Sequence, residues 1–151
     1  MIELLERDRI PVSGFLTREI REGGRRVGFG IETTQGRDGV LAHVDLPGPP
    51  RVGKYGVDLE VLEAIALPAI APPPDDAVTV IDELGKMELA SERFREAVAR
   101  LFERPVGVVA TVHLHRHPFT DALKRRDDVE LERVTPRNRD ALPRHLAARF
   151  T

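Results

Sequence analysis

The chain has no cysteine, so it forms neither a disulfide framework nor a thiolate metal site, which fits a reducing compartment. It has only three lysines. Almost all of its positive charge is arginine, a bias that a GC-rich genome produces as readily as a function does. No apolar stretch approaches the roughly 20 residues of a membrane span. The opening residues, Met1-Ile2-Glu3-Leu4-Leu5-Glu6-Arg7, put acids where a signal peptide needs an unbroken apolar region. A cytoplasmic protein with no membrane partner is expected. The net charge of −2 supplies no global basic field, so nucleic acid is not an expected partner either. What is present is ordinary for a globular chain: 41% apolar and 32% charged residues. At 151 residues it reads as a single domain, 1–151, with a core large enough to fold.

One segment carries more information than the rest. A run of apolar β-formers, Ala77-Val78-Thr79-Val80-Ile81, ends on two acids and then a glycine, Asp82-Glu83-Leu84-Gly85. A buried strand that stops on Asp-Glu has the form of a Walker B element. In that form Asp82, at the carboxyl end of a parallel strand, holds Mg²⁺ through water. Glu83 points at the γ-phosphate and orients the attacking water. Gly85 lets the backbone pass close to phosphate. The plainer alternative is a pair of acids solvated at a strand end or capping the next helix. Lys86 either pairs with Glu88 or faces the nucleotide.

The periodicity predicts the last turns of a helix over residues 1–9, ended by Pro11, and a strand from Val12 to Ile20. Gly23-Gly24 is a two-residue hairpin signal, with the return strand from Arg26 to Thr33. A short strand, Val40 to Val44, precedes a Pro- and Gly-rich loop from Leu46 to Tyr55. Asp58 caps a helix that runs to Ile70 and stops at Pro72-Pro73-Pro74. After the Asp-Glu strand come a helix from Ser91 to Phe102 and a buried strand from Val106 to Val112. The remaining chain reads as a short helix over Phe119–Arg126, a strand over Val129–Val134 and a closing helix over Asn138–Phe150. Alternating strands and helices indicate an α/β fold with a mostly parallel sheet.

Four strings together resemble a known family. Gly14-Phe15-Leu16-Thr17-Arg18-Glu19-Ile20-Arg21-Glu22-Gly23-Gly24-Arg25-Arg26-Val27-Gly28-Phe29 is similar to the hairpin of the cancer-related nucleoside-triphosphatase family, which are small P-loop NTPases. The likeness continues through Gly48-Pro49-Pro50-Arg51-Val52-Gly53-Lys54-Tyr55-Gly56-Val57-Asp58 and Val80-Ile81-Asp82-Glu83-Leu84-Gly85-Lys86-Met87-Glu88-Leu89. It ends at Thr135-Pro136-Arg137-Asn138-Arg139-Asp140. The resemblance implies a P-loop NTPase-like sheet flanked by helices, with an N-terminal β-hairpin insertion. It also implies hydrolysis of ATP, GTP and other nucleoside triphosphates to diphosphate and phosphate, with Mg²⁺ as cofactor. Members of that family begin with a strand, a GxxxxGKS/T loop and a helix before the stretch that matches Ile2 onward. The first strand and phosphate loop are thus absent from the fold read here, and Met1 is expected to be an internal methionine or a misassigned start. The loss is expected to leave a central gap or an unpaired sheet edge. The amide cradle, its Lys and the Mg²⁺-binding hydroxyl go with that segment. Activity by these 151 residues alone therefore does not follow from the resemblance.

The nucleotide-binding residues so implied are Val78, Thr79, Val80, Ile81, Asp82, Glu83, Leu84 and Gly85, with Asp82 the metal residue and Asp82 and Glu83 the catalytic pair. Arg51 and Lys54, on the Gly-rich loop, are candidates for polyphosphate. Asn138 and Arg139 are candidates for the base by analogy with other P-loop proteins; the plainer role for Thr135 or Asn138 is a helix cap. Gly48–Tyr55 itself fits GxxxxGK. However, Tyr55 replaces the Ser or Thr, and two prolines remove amide donors, so it is not expected to be the phosphate loop. Arg18, Arg21, Arg25 and Arg26 surround the hairpin turn as a solvated charged edge or, alternatively, as a source of an arginine finger. His113, His115 and His117 share one side of an extended chain, a weak metal signal without an acid or Cys at matching spacing. Two other functions use the same segment: a kinase of a small acceptor or RNA end, and a catalytically inactive binding or regulatory module.

Overall fold

Asp58 and Ser91 start the two longest helices as capping residues. In α2 (Leu59–Ile70) the Asp58 carboxylate accepts the Val61 amide at 3.0 Å. In α3 (Glu92–Phe102) the Ser91 hydroxyl accepts the Phe94 amide at 3.1 Å and donates to Glu63 of α2 at 2.9 Å. Ser91 thus satisfies an orphan helix donor and ties the two helices together. Ser91→Ala is expected to cost about 1–2 kcal/mol, readable as a lower urea midpoint with unchanged slope. Pro68 lies inside α2 and cannot donate to the Ala64 carbonyl. Arg37 fills that vacancy: its Nη1 donates to Ala64 O at 2.7 Å.

The computed structural model describes all 151 residues. The remaining elements are α1 (Ile2–Arg7), β1 (Val12–Glu22), β2 (Arg25–Thr33), β3 (Asp38–His43), β4 (Arg51–Val52), β5 (Tyr55–Val57), β6 (Val78–Leu84), β7 (Gly107–Val112), α4 (Pro118–Lys124) and α5 (Leu142–Ala147). Single 3₁₀ turns occupy Glu88–Ala90 and Ala148–Phe150. The seven strands form one sheet in the order β4-β5-β3-β2-β1-β6-β7. No helix is long and apolar enough to cross a membrane. Three peptide bonds are cis: Gly48–Pro49, Pro49–Pro50 and Asp82–Glu83.

The expected mostly parallel sheet needs correction. Only the β1–β6 and β6–β7 pairs are parallel; the other four are antiparallel. Connection length decides this. The links from β1 through β5 are too short for a crossover and return the chain antiparallel, whereas α2 and α3 carry it back to start parallel strands. There is no central gap, because β6 joins β1 to β7; β7 forms one edge. The sheet is curled, so Val52 of β4 and His113, just past β7, line one cavity although their strands are at opposite edges.

The main core lies between one face of the sheet and α2 and α3, with Phe15 and Phe94 edge-to-face at 5.8 Å. A smaller core on the other face joins Leu5 of α1, Val78 and Val80 of β6, and Ala147 of α5. Three local expectations change. The loop expected over Leu46–Tyr55 contains β4 and opens β5. Val129–Val134 is not a strand; Leu131 and Val134 are exposed, and the segment is tied down by the Arg149–Glu130 ion pair. The last helix starts at Leu142 rather than Asn138, because Thr135 and Asn138 close a turn of their own: Asn138 Oδ1 accepts the Thr135 amide at 2.7 Å.

Candidate active site

β6 runs past the expected end at Ile81, through Asp82 and Glu83, to Leu84. Val78, Thr79, Val80 and Ile81 are buried within the sheet and serve by carrying the two acids to its edge. Thr79 is further fixed by a 3.0 Å hydroxyl contact with Ser13 of β1. Pairing of Ile81 with Ala110 sets the end of β7 beside Asp82. There Thr111 donates its hydroxyl to Asp82 Oδ1 at 2.6 Å. Thr111 escaped the sequence reading. Its signal was a lone hydroxyl in the apolar run Val108-Val109-Ala110-Thr111-Val112.

Glu83 is half-buried and lines a cavity of about 230 Å³, with apolar walls from Phe29, Leu41 and Val52 and polar ones from Thr17, Lys86 and His113. Burial pushes the Glu83 carboxyl above its usual range, and the adjacent Asp82 charge adds to this. Glu88 lines the same cavity from the 3₁₀ turn and is only 3% exposed. Burial pushes its carboxyl up to about 7, opposed by its own backbone amide and that of Gly85 and reinforced by the charges of Glu83 and Asp82. No ion pair joins Lys86 to Glu88; Lys86 is exposed. Gly85 is the residue around which the acids close. A Cβ there would come within 2.8 Å of Glu83 Oε1 and 3.1 Å of Glu88 Oε2.

No three acidic or histidine side chains are grouped so as to hold a metal ion by themselves. Asp82 with the Thr111 hydroxyl is a hard-oxygen pair at a strand end. That set is too small for a stand-alone metal cage, and it fits Mg²⁺ bound with substrate phosphates and water.

The model of a family described as NTPase matches residues 1–147. The chain belongs to this NTPase family. It is 42% identical to the nucleoside-triphosphatase THEP1 of Thermotoga sp. (strain RQ2) over 143 residues, covering 94% of this chain and 82% of that one. It is 38% identical to the human cancer-related nucleoside-triphosphatase over 154 residues, covering 93% and 82%. The crystal structure of THEP1 from Aquifex aeolicus superposes with a TM-score of 0.87 at 32% identity, covering 99% of this chain and 89% of that one.

The other residues singled out in this NTPase-family chain are less closely tied to Asp82 and Glu83. Arg51 spends its guanidinium on its own loop, donating to the carbonyls of Leu46 and Pro47 at 3.1 Å and of Lys54 at 2.8 Å. Lys54 lies over the Tyr55 ring at 5.5 Å. The GxxxxGK string is a tight β4–β5 hairpin, with Val52 opposite Tyr55, and not a loop that opens a helix. Arg26 clamps that hairpin to the β1–β2 hairpin: its Nε donates to the Tyr55 hydroxyl at 2.9 Å and its Nη1 to Glu19 at 3.1 Å. Arg21 pairs with Glu19, and Arg18 with Glu32, so these arginines form a charged, paired edge.

Asn138 is also locally engaged, its Nδ2 donating to Arg133 O at 2.8 Å, and Arg139 faces Asp140 at 3.8 Å on the surface. The three histidines separate. His117 caps α4, its Nδ1 accepting the Phe119 amide at 3.1 Å. His113 and His115 stay together with ring centroids 5.6 Å apart. Both His113 ring nitrogens are buried without a partner, and burial lowers its pKa, with the neighbouring His115 and His117 charges adding to this.

Proposed function

We propose that the chain hydrolyses nucleoside triphosphates, ATP and GTP among them, to the diphosphate and phosphate with Mg²⁺. The observation that carries this reading is the placement of Asp82 and Glu83. They lie side by side at the carboxyl end of a strand with parallel neighbours on both sides, one acid fixed by Thr111 and the other opening on a cavity. Ligands of α/β sheets bind at such strand ends. The names of the relatives support the same substrate class.

Asp82, oriented by Thr111, would hold the cation through water. Bound Mg²⁺ supplies neutralisation of the charge that develops on the β- and γ-oxygens. Glu83 would accept a hydrogen bond from the attacking water and align it with the γ-phosphorus. Its half-buried carboxylate has no basic partner, so its acceptor capacity is free for that water. Arg51 would reach polyphosphate only by giving up its three carbonyls, and we assign it and Lys54 to the rim of the site. Asn138 and Arg139 would approach the base from the loop before α5. Broad base use follows, because no base-reading motif is present. These residues include no GxxxxGKS/T loop, so weak nucleotide affinity is expected and assays call for millimolar substrate.

The test is phosphate release from ATP and GTP across a Mg²⁺ titration, in wild type and Asp82→Asn. Release that needs Mg²⁺, with the requirement displaced about tenfold or more upward in the variant, is expected. An unchanged Mg²⁺ requirement would remove Asp82 from the metal. No release by folded wild type at millimolar nucleotide would remove the hydrolytic reading for this chain.

A further inference from the structure

Glu88 is a buried carboxylate that the proposed reaction does not use. It has no cationic partner, which is a costly arrangement for a side chain whose only evident task is local. Its surroundings give it another. Its Oε2 accepts the Gly85 amide at 3.2 Å, two residues after Glu83. The 3₁₀ turn that carries it is itself anchored to Gly85, whose carbonyl accepts the Leu89 amide at 2.9 Å. Gly85 is therefore gripped at both its amide and its carbonyl by one turn. The oxygens Glu83 Oε1 and Glu88 Oε2 close on the same point beside the Gly85 Cα, where a methyl group would not fit. Glu88 thus bounds the space available to the Glu83 carboxylate on the cavity wall that both residues line.

We propose that Glu88 is a positioning residue for Glu83: by fixing the Gly85 backbone and occupying the space beside it, its side chain confines the Glu83 carboxylate to the orientation that faces the cavity. This rests on the reading of Glu83 as the group that aligns water. A misplaced water-aligning group lowers the rate of the chemical step while leaving nucleotide binding intact. The effect also has to pass through Glu83. Glu88→Ala removes the grip and the steric boundary together. Glu88→Gln keeps the size and keeps an oxygen for the Gly85 amide.

The test is a double-mutant cycle on kcat and nucleotide Kd, with wild type, Glu88→Ala, Glu83→Gln and the double variant, plus Glu88→Gln as the conservative rescue. Glu88→Ala is expected to lower kcat about tenfold or more with Kd within about twofold. In the Glu83→Gln background it is expected to lower kcat no further. Glu88→Gln should restore most of the turnover that the alanine loses. If Glu83→Gln alone leaves kcat unchanged, the reading of Glu83 fails and the proposal falls with it. If Glu83→Gln abolishes turnover but Glu88→Ala leaves kcat intact, or raises Kd in proportion to its loss of kcat, only the proposal is overturned. Should Glu88→Ala not fold, Glu88→Gln decides alone: a kcat loss as large as about tenfold in a folded Glu88→Gln protein overturns positioning by shape.

Discussion

Gly14→Ala is expected to leave the chain without a stable native state. Gly14 sits in β1 with φ +110°, a region that L side chains rarely adopt. A Cβ built there lies 1.8 Å from the Val80 carbonyl oxygen and 2.8 Å from the Val80 carbonyl carbon. These are backbone atoms of the paired strand, with Gly14 directly opposite Val80, so no flexible side chain can move aside. Relief requires β1 and β6 to separate. β1 is also paired to β2, and β6 to β7, so the separation would break the sheet near its centre. A cost above about 4–5 kcal/mol is expected, a large share of the stability of a domain this size. The measurement is urea unfolding followed by far-UV circular dichroism. Unfolding at zero denaturant, or a midpoint close to it, is the expected result; an unfolding free energy within about 1 kcal/mol of wild type would show that β1 and β6 are not paired in this register.

Glu88→Gln is expected to act in the opposite direction, with a gain that grows as pH rises from about 4.5 to 7 and is full above that. The folded protein holds the Glu88 carboxyl at about 7 because the side chain is buried, against an ordinary value of 4.5. The folded state therefore binds this proton more tightly than the unfolded state does. Its stabilising effect is complete below about pH 4.5 and is lost as pH rises through 7. At pH 8 the wild type carries the cost of an ionised, buried carboxylate, on the order of 3 kcal/mol from a shift of this size. Glutamine presents the Gly85 amide with an oxygen of the same reach and has no charge to bury. The variant should therefore match wild type near pH 4.5 and exceed it by about 1–3 kcal/mol at pH 8. Paired urea titrations at the two pH values check this. A variant less stable than wild type at pH 8 would mean that the Glu88 charge is compensated in the folded protein.

Sequence legibility followed the range of the interaction. The Gly23-Gly24 hairpin, the Asp58 and Ser91 helix starts and the apolar run into Asp82-Glu83 are local signals, and all lie in the structure where the pattern put them. The two prolines and Tyr55 in the Gly48–Tyr55 string marked it as unsuited to cradle phosphate, and it folds as a hairpin. Strand direction was less legible. The apolar continuity of a buried strand does not say whether its neighbour runs with it or against it, so the antiparallel pairs beyond the β1–β2 hairpin were missed. Val129–Val134 alternates like a strand, but it pairs with no edge of the sheet, and its apolar residues Leu131 and Val134 stay exposed rather than covering a core face.

The site shows the same division. Asp82 and Glu83 were visible because they end a strand. Thr111 and Glu88 were not, because their roles depend on the β6–β7 register and on a single 3₁₀ turn that brings Glu88 back to Gly85. Arg37 at the Ala64 carbonyl is likewise a contact across 27 residues that repairs a break made by Pro68. Arg51 looked available from its loop and is occupied by that loop's own carbonyls.

The most direct test of the site is Mg²⁺-dependent phosphate release by wild type beside Glu83→Gln, a change that keeps the size of the side chain and removes its carboxylate. Release from wild type that falls about 100-fold or more in the variant, with nucleotide affinity unchanged, is the expected result. Equal release by both proteins would contradict the role given to Glu83 and move the chemistry away from the end of β6.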